Sequence, residues 1–220
     1  MKISIFDFDG TLVNTPTDTP DNRTLYEKAT GLPWLINKEL ALELSKKLHR
    51  HVGIRRGWYG RPETLEPPLV PDPAPSEMFI SEICNELAIS KNDPETLTVV
   101  MTGRHAGLKK QVLRILSDGN LVSCQKKRDQ SGNIWIESVD PKVSVYCLGQ
   151  DGPCMQNAGT KPPDTLPWKL WVIKQFLRLH KDARIDIWED REEHVYAFRD
   201  FLMHLGHAYE VHNVKEYLRR

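Results

Sequence analysis

Two carboxylates, two residues apart, stand where a strand should end. Asp7-Phe8-Asp9-Gly10-Thr11-Leu12 follows Ile3-Ser4-Ile5-Phe6, whose apolar alternation reads as a strand. Side chains at i and i+2 of a strand point the same way, so Asp7 and Asp9 are expected to emerge together, with Gly10 turning the backbone aside. Oxygens paired in this way suit a divalent cation beside a carboxylate nucleophile. A second hydrophobic strand ends in Thr102-Gly103-Arg104. A phosphate oxygen could take the Thr102 hydroxyl and the amides near Gly103 if a helix begins there, although Thr102 could equally be an ordinary helix cap. A third alternating strand ends in Trp188-Glu189-Asp190-Arg191, whose acids fit either oxygen ligands for a cation or the acidic first turn of a helix.

These residues need elements to hold them. Periodicity predicts helices over Asp21 to Ala29, over Lys38 to His51 behind the cap candidate Asn37, after Ser76, over Leu108 to Leu116, Leu166 to His180 and Arg191 to Leu205. In the second of these, Leu40, Ala41, Leu44, Leu48 and Val52 mark the inward side. Strands are predicted at Leu97 to Met101, Ile134 to Glu137, Val143 to Tyr146, Ala183 to Trp188 and His207 to His212. The segment from Arg61 to Pro75 is too rich in proline for helix or central strand, and Gln150 to Pro163 reads as a loop. Strand alternating with helix gives an α/β fold, a mainly parallel sheet between helices. In such sheets ligands bind at the carboxyl edge of the strands, where all three motifs are expected.

The hexapeptide from Asp7 resembles the first motif of the haloacid dehalogenase (HAD) superfamily, most of whose members are phosphatases working through a phospho-aspartyl intermediate. Thr102 and the Glu189/Asp190 pair then match the second and fourth motifs in type and order. The resemblance implies a Rossmann-like HAD fold with a small insertion after the first strand, and it asks for a lysine that neutralises phosphate and nucleophile together. Lys169, near the start of the helix behind Thr165, is the favoured residue, with Lys161 and Lys174 as rivals. It also implies Asp7 as nucleophile, Asp9 as acid and then base, and Mg²⁺ held by Asp7, Asp9, Glu189 and Asp190. Within the superfamily, Glu189-Asp190-Arg191 followed by His194 and Phe198 resembles the HAD domain of Swiss Army knife RNA-repair proteins. It is similar too to the phosphatase half of polynucleotide kinase-phosphatases. Asn14-Thr15-Pro16, Gly57-Trp58-Tyr59 and Pro62 to Leu65 agree with the repair-type domain. Repair proteins of that kind carry further domains, so the short length is a departure from the resemblance.

The 220 residues fit a single HAD-like domain, with 14–76 as a cap-like or wrapping insertion. Thirty basic residues balance thirty acidic ones, so no global charge recruits nucleic acid, and any polyanion contact must be local. No apolar run reaches membrane-span length, and Met1-Lys2 leads straight into the first strand. A cytoplasmic or nuclear location without a membrane partner is therefore expected. Cys84, Cys124, Cys147 and Cys154 form no CxxC pair and read as reduced structural thiols. Arg55 and Arg56, in a stretch that also holds Trp34, Trp58 and Tyr59, are candidates for substrate binding together with Gly103 and Arg104. Trp34 and Trp58 read equally as a hydrophobic anchor, and Lys126-Lys127-Arg128 as a solvated loop. His49 and His51 would not face each other on a helix and read as solvated, while His194, one turn past Arg191, either touches the site or, the favoured reading, packs or hydrogen-bonds at the helix surface. Three functions fit: a Mg²⁺-dependent phosphatase acting on a phosphorylated RNA or DNA end, especially a 3′-phosphate; a phosphatase for a small metabolite or nucleotide; and a catalytically idle HAD scaffold used for interaction.

Overall fold

Ile3 and Ile5 are buried on one face of the first strand, β1 (Lys2–Phe6), and Phe6 on the other, as a strand covered on both sides requires. In a computed structural model, which describes residues 1–49, 51–52, 57–128, 134–153 and 161–219, β1 is the middle of a five-stranded sheet. It pairs in parallel with β2 (Thr96–His105) and β6 (Arg184–Glu189). The outer strands are β5 (Val143–Leu148), beside β2, and β7 (Tyr209–Asn213), beside β6, both also parallel. Phe6 stands opposite Val100 in one neighbour and Trp188 in the other, which brings Asp7, Thr102 and Glu189 to the same edge. The chain is thus α/β, with a Rossmann-like sheet flanked by helices.

Two compact units divide the chain, one made of Met1–Asn14 and Pro73–Arg220, the other of Thr15–Asp72. The first unit holds the sheet and the helices α3 (Ser81–Asn92), α4 (Lys109–Asp118), α5 (Thr165–Leu179), α6 (Glu192–Leu205) and α7 (Val214–Tyr217). Trp168, Val172, Ile173 and Phe176 of α5 meet Val195, Phe198 and Leu202 of α6 and the β1 and β6 isoleucines in one core. Both helices present apolar residues at three- and four-residue spacing, which is what buries them. The second unit holds α1 (Pro20–Thr30) and α2 (Lys38–Lys47). Trp58 is buried against Tyr26 and Trp34, and its indole N–H donates to the Pro16 carbonyl at 2.6 Å, so it is an anchor inside this unit. Arg61, also buried, stacks over Trp34 at 4.4 Å and Tyr26 at 5.0 Å. Among the described residues no helix is long and apolar enough to cross a membrane.

Several element boundaries differ from expectation. Helix α2 stops at Lys47 because His49 adopts a left-handed φ of 49° and Val52 turns back to donate to the Ser45 hydroxyl at 2.9 Å. Leu48 is consequently exposed rather than inward, and His49 and His51 lie beyond the helix. After Ser76 the chain makes only a 3₁₀ turn; Phe79 bridges to Val13, Ile80 donates to Leu12, and α3 begins afterwards. The second strand runs on to His105, because β5 continues the ladder past Thr102 with an irregularity before His105. A 3₁₀ turn over Ala106–Leu108 follows, so no helix begins at Gly103. Lys126–Arg128 belong to a strand, β3 (Cys124–Arg128), paired with β4 (Ile134–Ser138), and Lys127 forms an ion pair with Glu137.

Candidate active site

The edge that gathers Asp7, Thr102 and Glu189 is built by turns that each solve a local problem. Asp7 leaves β1 with its amide still donating to the Trp188 carbonyl at 3.0 Å, which ties it to β6. Phe8, Leu12 and Val13 are buried, and Asp9 bridges to Val13, closing a tight loop that turns both aspartates away from those apolar side chains. Gly10 takes a φ of +72°, and a Cβ there would stand 2.6 Å from Asp190 Oδ2. Glycine is required twice over, for the backbone and for the approach of Asp190.

Lys169, in the first turns of α5 and 1% exposed, donates from Nζ to Asp7 Oδ1 at 2.7 Å and to Glu189 Oε2 at 2.8 Å. Its rivals lie elsewhere: Lys161 pairs with Asp151, and Lys174 is exposed. A buried ammonium between two carboxylates is costly to desolvate and is tolerated because both partners bond it. Burial opposes its charge, yet Asp7 and Glu189 outweigh burial and hold its pKa above the ordinary value. Burial, reinforced by the neighbouring Glu189, pushes Asp7 in the other direction, from 3.8 up to about 8, despite Lys169. Burial also acts against Glu189, but Lys169 and His194 prevail and hold it well below the usual carboxylate range.

Both oxygens of Glu189 are engaged. Oε2 meets Lys169 and, at 3.2 Å, the Nδ1 of His194, while Oε1 accepts the Arg191 amide at 3.3 Å. Asp190 differs: its Oδ2 pairs with Lys215 at 3.7 Å, while its Oδ1, like Oδ2 of Asp7, is buried without a hydrogen-bond partner among the described residues. Burial and then Glu189 raise the Asp190 pKa. Asp7, Glu189 and Asp190 offer oxygens all within 4.8 Å of one another, and an oxygen-only donor set with two unbonded members fits a hard divalent cation such as Mg²⁺. A second group among the described residues, Asp186, Glu210 and His212, is already bridged by Arg184, which pairs with both acids.

On the β2 side, Thr102 is fully buried, and its hydroxyl donates to Asp9 Oδ2 at 3.4 Å while accepting the Arg104 amide at 3.1 Å. Arg104 is also fully buried, with Nε 3.1 Å from both Asp9 oxygens and Nη2 2.7 Å from Oδ1. An arginine fork of this kind fixes a carboxylate's plane as well as its position. Gly103 lets the end of β2 come close to α5, since a Cβ there would lie 2.7 Å from Thr165 Cγ2. Arg55 and Arg56 lie outside the described residues.

The structure thus brings together Asp7, Asp9, Thr102, Arg104, Lys169, Glu189 and Asp190. Arg104, a candidate for substrate from the sequence, forks onto Asp9, a contact that residue spacing does not reveal. His194, open in the sequence between touching the site and packing or hydrogen-bonding at a helix surface, is 5% exposed and faces Glu189. A signal for that burial was present: His194, Phe198 and Leu202 recur every four residues and define one inward stripe of α6.

A family model described as HAD domain family 1 in Swiss Army Knife RNA repair proteins matches residues 35–218. The match contains Thr102, Lys169 and Glu189, and the Asp7 segment precedes it. No curated protein and no solved structure matches the chain significantly.

Proposed function

This chain belongs to HAD domain family 1 of the Swiss Army Knife RNA repair proteins, a family that implies phosphatase-type hydrolysis, and from that membership we propose a Mg²⁺-dependent phosphomonoesterase acting on nucleic-acid ends, with a 3′-phosphate as the preferred group. The observation that carries the reading is the position of Lys169, buried between Asp7 and Glu189, beside two carboxylate oxygens that have no hydrogen-bond partner among the described residues. Buried charges and unbonded oxygens destabilise a fold, and an idle interaction scaffold has no use for them.

In the proposed reaction Asp7 attacks phosphorus in line as the bond to the leaving oxygen breaks. Asp9 donates a proton to that oxygen, then takes one from the water that hydrolyses the acyl phosphate, returning Asp7 and releasing inorganic phosphate. Arg104 and Thr102 fix the plane and position of the Asp9 carboxyl. Lys169 neutralises Asp7 and the incoming phosphoryl group together, which is most of what a loose transition state requires. Mg²⁺ would be held by Asp7 and Asp190, with the Asp9 main-chain carbonyl as a further oxygen, and when bound it neutralises charge between nucleophile and phosphate. Glu189 serves in this reading as the partner of Lys169, since both its oxygens are occupied.

The test is phosphate release from 3′-phosphorylated RNA and DNA oligonucleotides, mononucleotides and small phosphate esters, each with and without Mg²⁺. Fastest release from the oligonucleotides, dependent on Mg²⁺, is expected. If oligonucleotides react no better than nucleotides, the nucleic-acid preference is wrong and the small-molecule reading replaces it.

A further inference from the structure

Glu189 is a long side chain asked to hold a buried ammonium in one place. Its carboxylate is reached by Lys169, by the Arg191 amide and by His194, and only the last of these is a side chain whose sole polar contact among the described residues is Glu189. The imidazole sits on the apolar stripe of α6, edge-on to Phe198 with ring centroids 6.1 Å apart. An aliphatic or aromatic residue would fill that position at least as well, so packing alone does not call for a histidine there. The bond to Glu189 Oε2 does, because the same oxygen accepts Lys169 and so sets where Nζ lies relative to Asp7.

Resting on the phosphatase reading, we propose that His194 is a positioning residue that fixes Glu189, and through it Lys169, for phosphoryl transfer from substrate to Asp7. The ring contributes through Nδ1, which donates to the carboxylate in the tautomer this contact selects. The chain of contacts runs from His194 Nδ1 to Glu189 Oε2 at 3.2 Å, to Lys169 Nζ at 2.8 Å, to Asp7 Oδ1 at 2.7 Å. When the first link is lost, Glu189 gains rotamer freedom and Lys169 is shared unevenly between the two carboxylates.

Two polar replacements separate this role from mere packing. His194→Asn carries an amide near the place of Nδ1, whereas His194→Gln carries it near Nε2, pointing away from Glu189. Loss of an outer partner of this kind typically costs about 10- to 100-fold. The expected result is a kcat lowered by about that factor in His194→Gln with KM little changed, and a kcat close to wild type in His194→Asn. A readout independent of turnover is the ε-CH₂ resonance of Lys169 in lysine-¹³C-labelled protein, assigned with Lys169→Arg. It should move in His194→Gln and stay in His194→Asn. Equal kcat and an unmoved Lys169 resonance in both variants would overturn the proposal, as would equal losses in both. A wild-type protein inactive on every phosphate ester would defeat the phosphatase reading alone, and the Lys169 resonance would still decide whether His194 positions it.

Discussion

Asp7 is the residue on which the site's competing demands meet. Burial and the adjacent Glu189 favour its protonated form, Lys169 favours its carboxylate, and the balance lies at about 8. The folded-state pKa is raised above the unfolded one, so the stability this group contributes is complete below its ordinary 3.8 and is lost as pH rises through about 8. Glu189 is shifted the opposite way; its contribution is present above the ordinary carboxylate range and disappears only in strong acid. Between about pH 6 and about pH 9 Asp7 alone of the two is therefore changing state. A cation needs the carboxylate and must displace the proton, so Mg²⁺ should raise the thermal midpoint more at the upper end of that range than at the lower. Thermal unfolding in chelator and in saturating Mg²⁺, stepped through the range, measures this; a Mg²⁺ effect independent of pH would contradict it.

At the scale of elements, the site depends on how closely strand ends and turns approach. The Gly10 turn after β1 touches the Asp190 carboxylate at the end of β6, and Gly103 brings the end of β2 against the start of α5. Gly10→Ala is expected to lose roughly 1 kcal/mol or more, from the left-handed φ and the displaced Asp190, and to weaken Mg²⁺ binding together with stability. Denaturant unfolding with metal titration by calorimetry would check both, and unchanged Mg²⁺ affinity would place Asp190 outside the cation site. Much of this scaffold was legible in the chain: alternation over Ile3 to Phe6 and Ala183 to Trp188 and the apolar run from Leu97 to Met101 located the strands, and each strand ended in the residues that now face one another. What periodicity could not show was anything decided by a distant partner. The second strand continues past Thr102 because β5 lies alongside, α2 stops early because Val52 returns to Ser45, and Arg104 finds its acceptor 95 residues away.

In the unit that holds the sheet, β1 lies between the two strands whose ends carry Thr102 and Glu189, and α5 brings Lys169 to the same edge. The described cysteines play no part in that edge chemistry. Cys84, Cys124 and Cys147 are free thiols, and burial pushes Cys84 up to about 11 and Cys147 up to about 12, which leaves them protonated and inert at neutral pH. Every functional proposal converges instead on a carboxylate nucleophile supported by Lys169. The most direct measurement is the initial rate of Mg²⁺-dependent phosphate release from a 3′-phosphorylated oligonucleotide and from a generic phosphomonoester, by wild type and by Asp7→Asn at matched fold and thermal midpoint. Release by the wild type with none from Asp7→Asn is predicted; substantial Mg²⁺-dependent release by a folded Asp7→Asn protein would contradict the account.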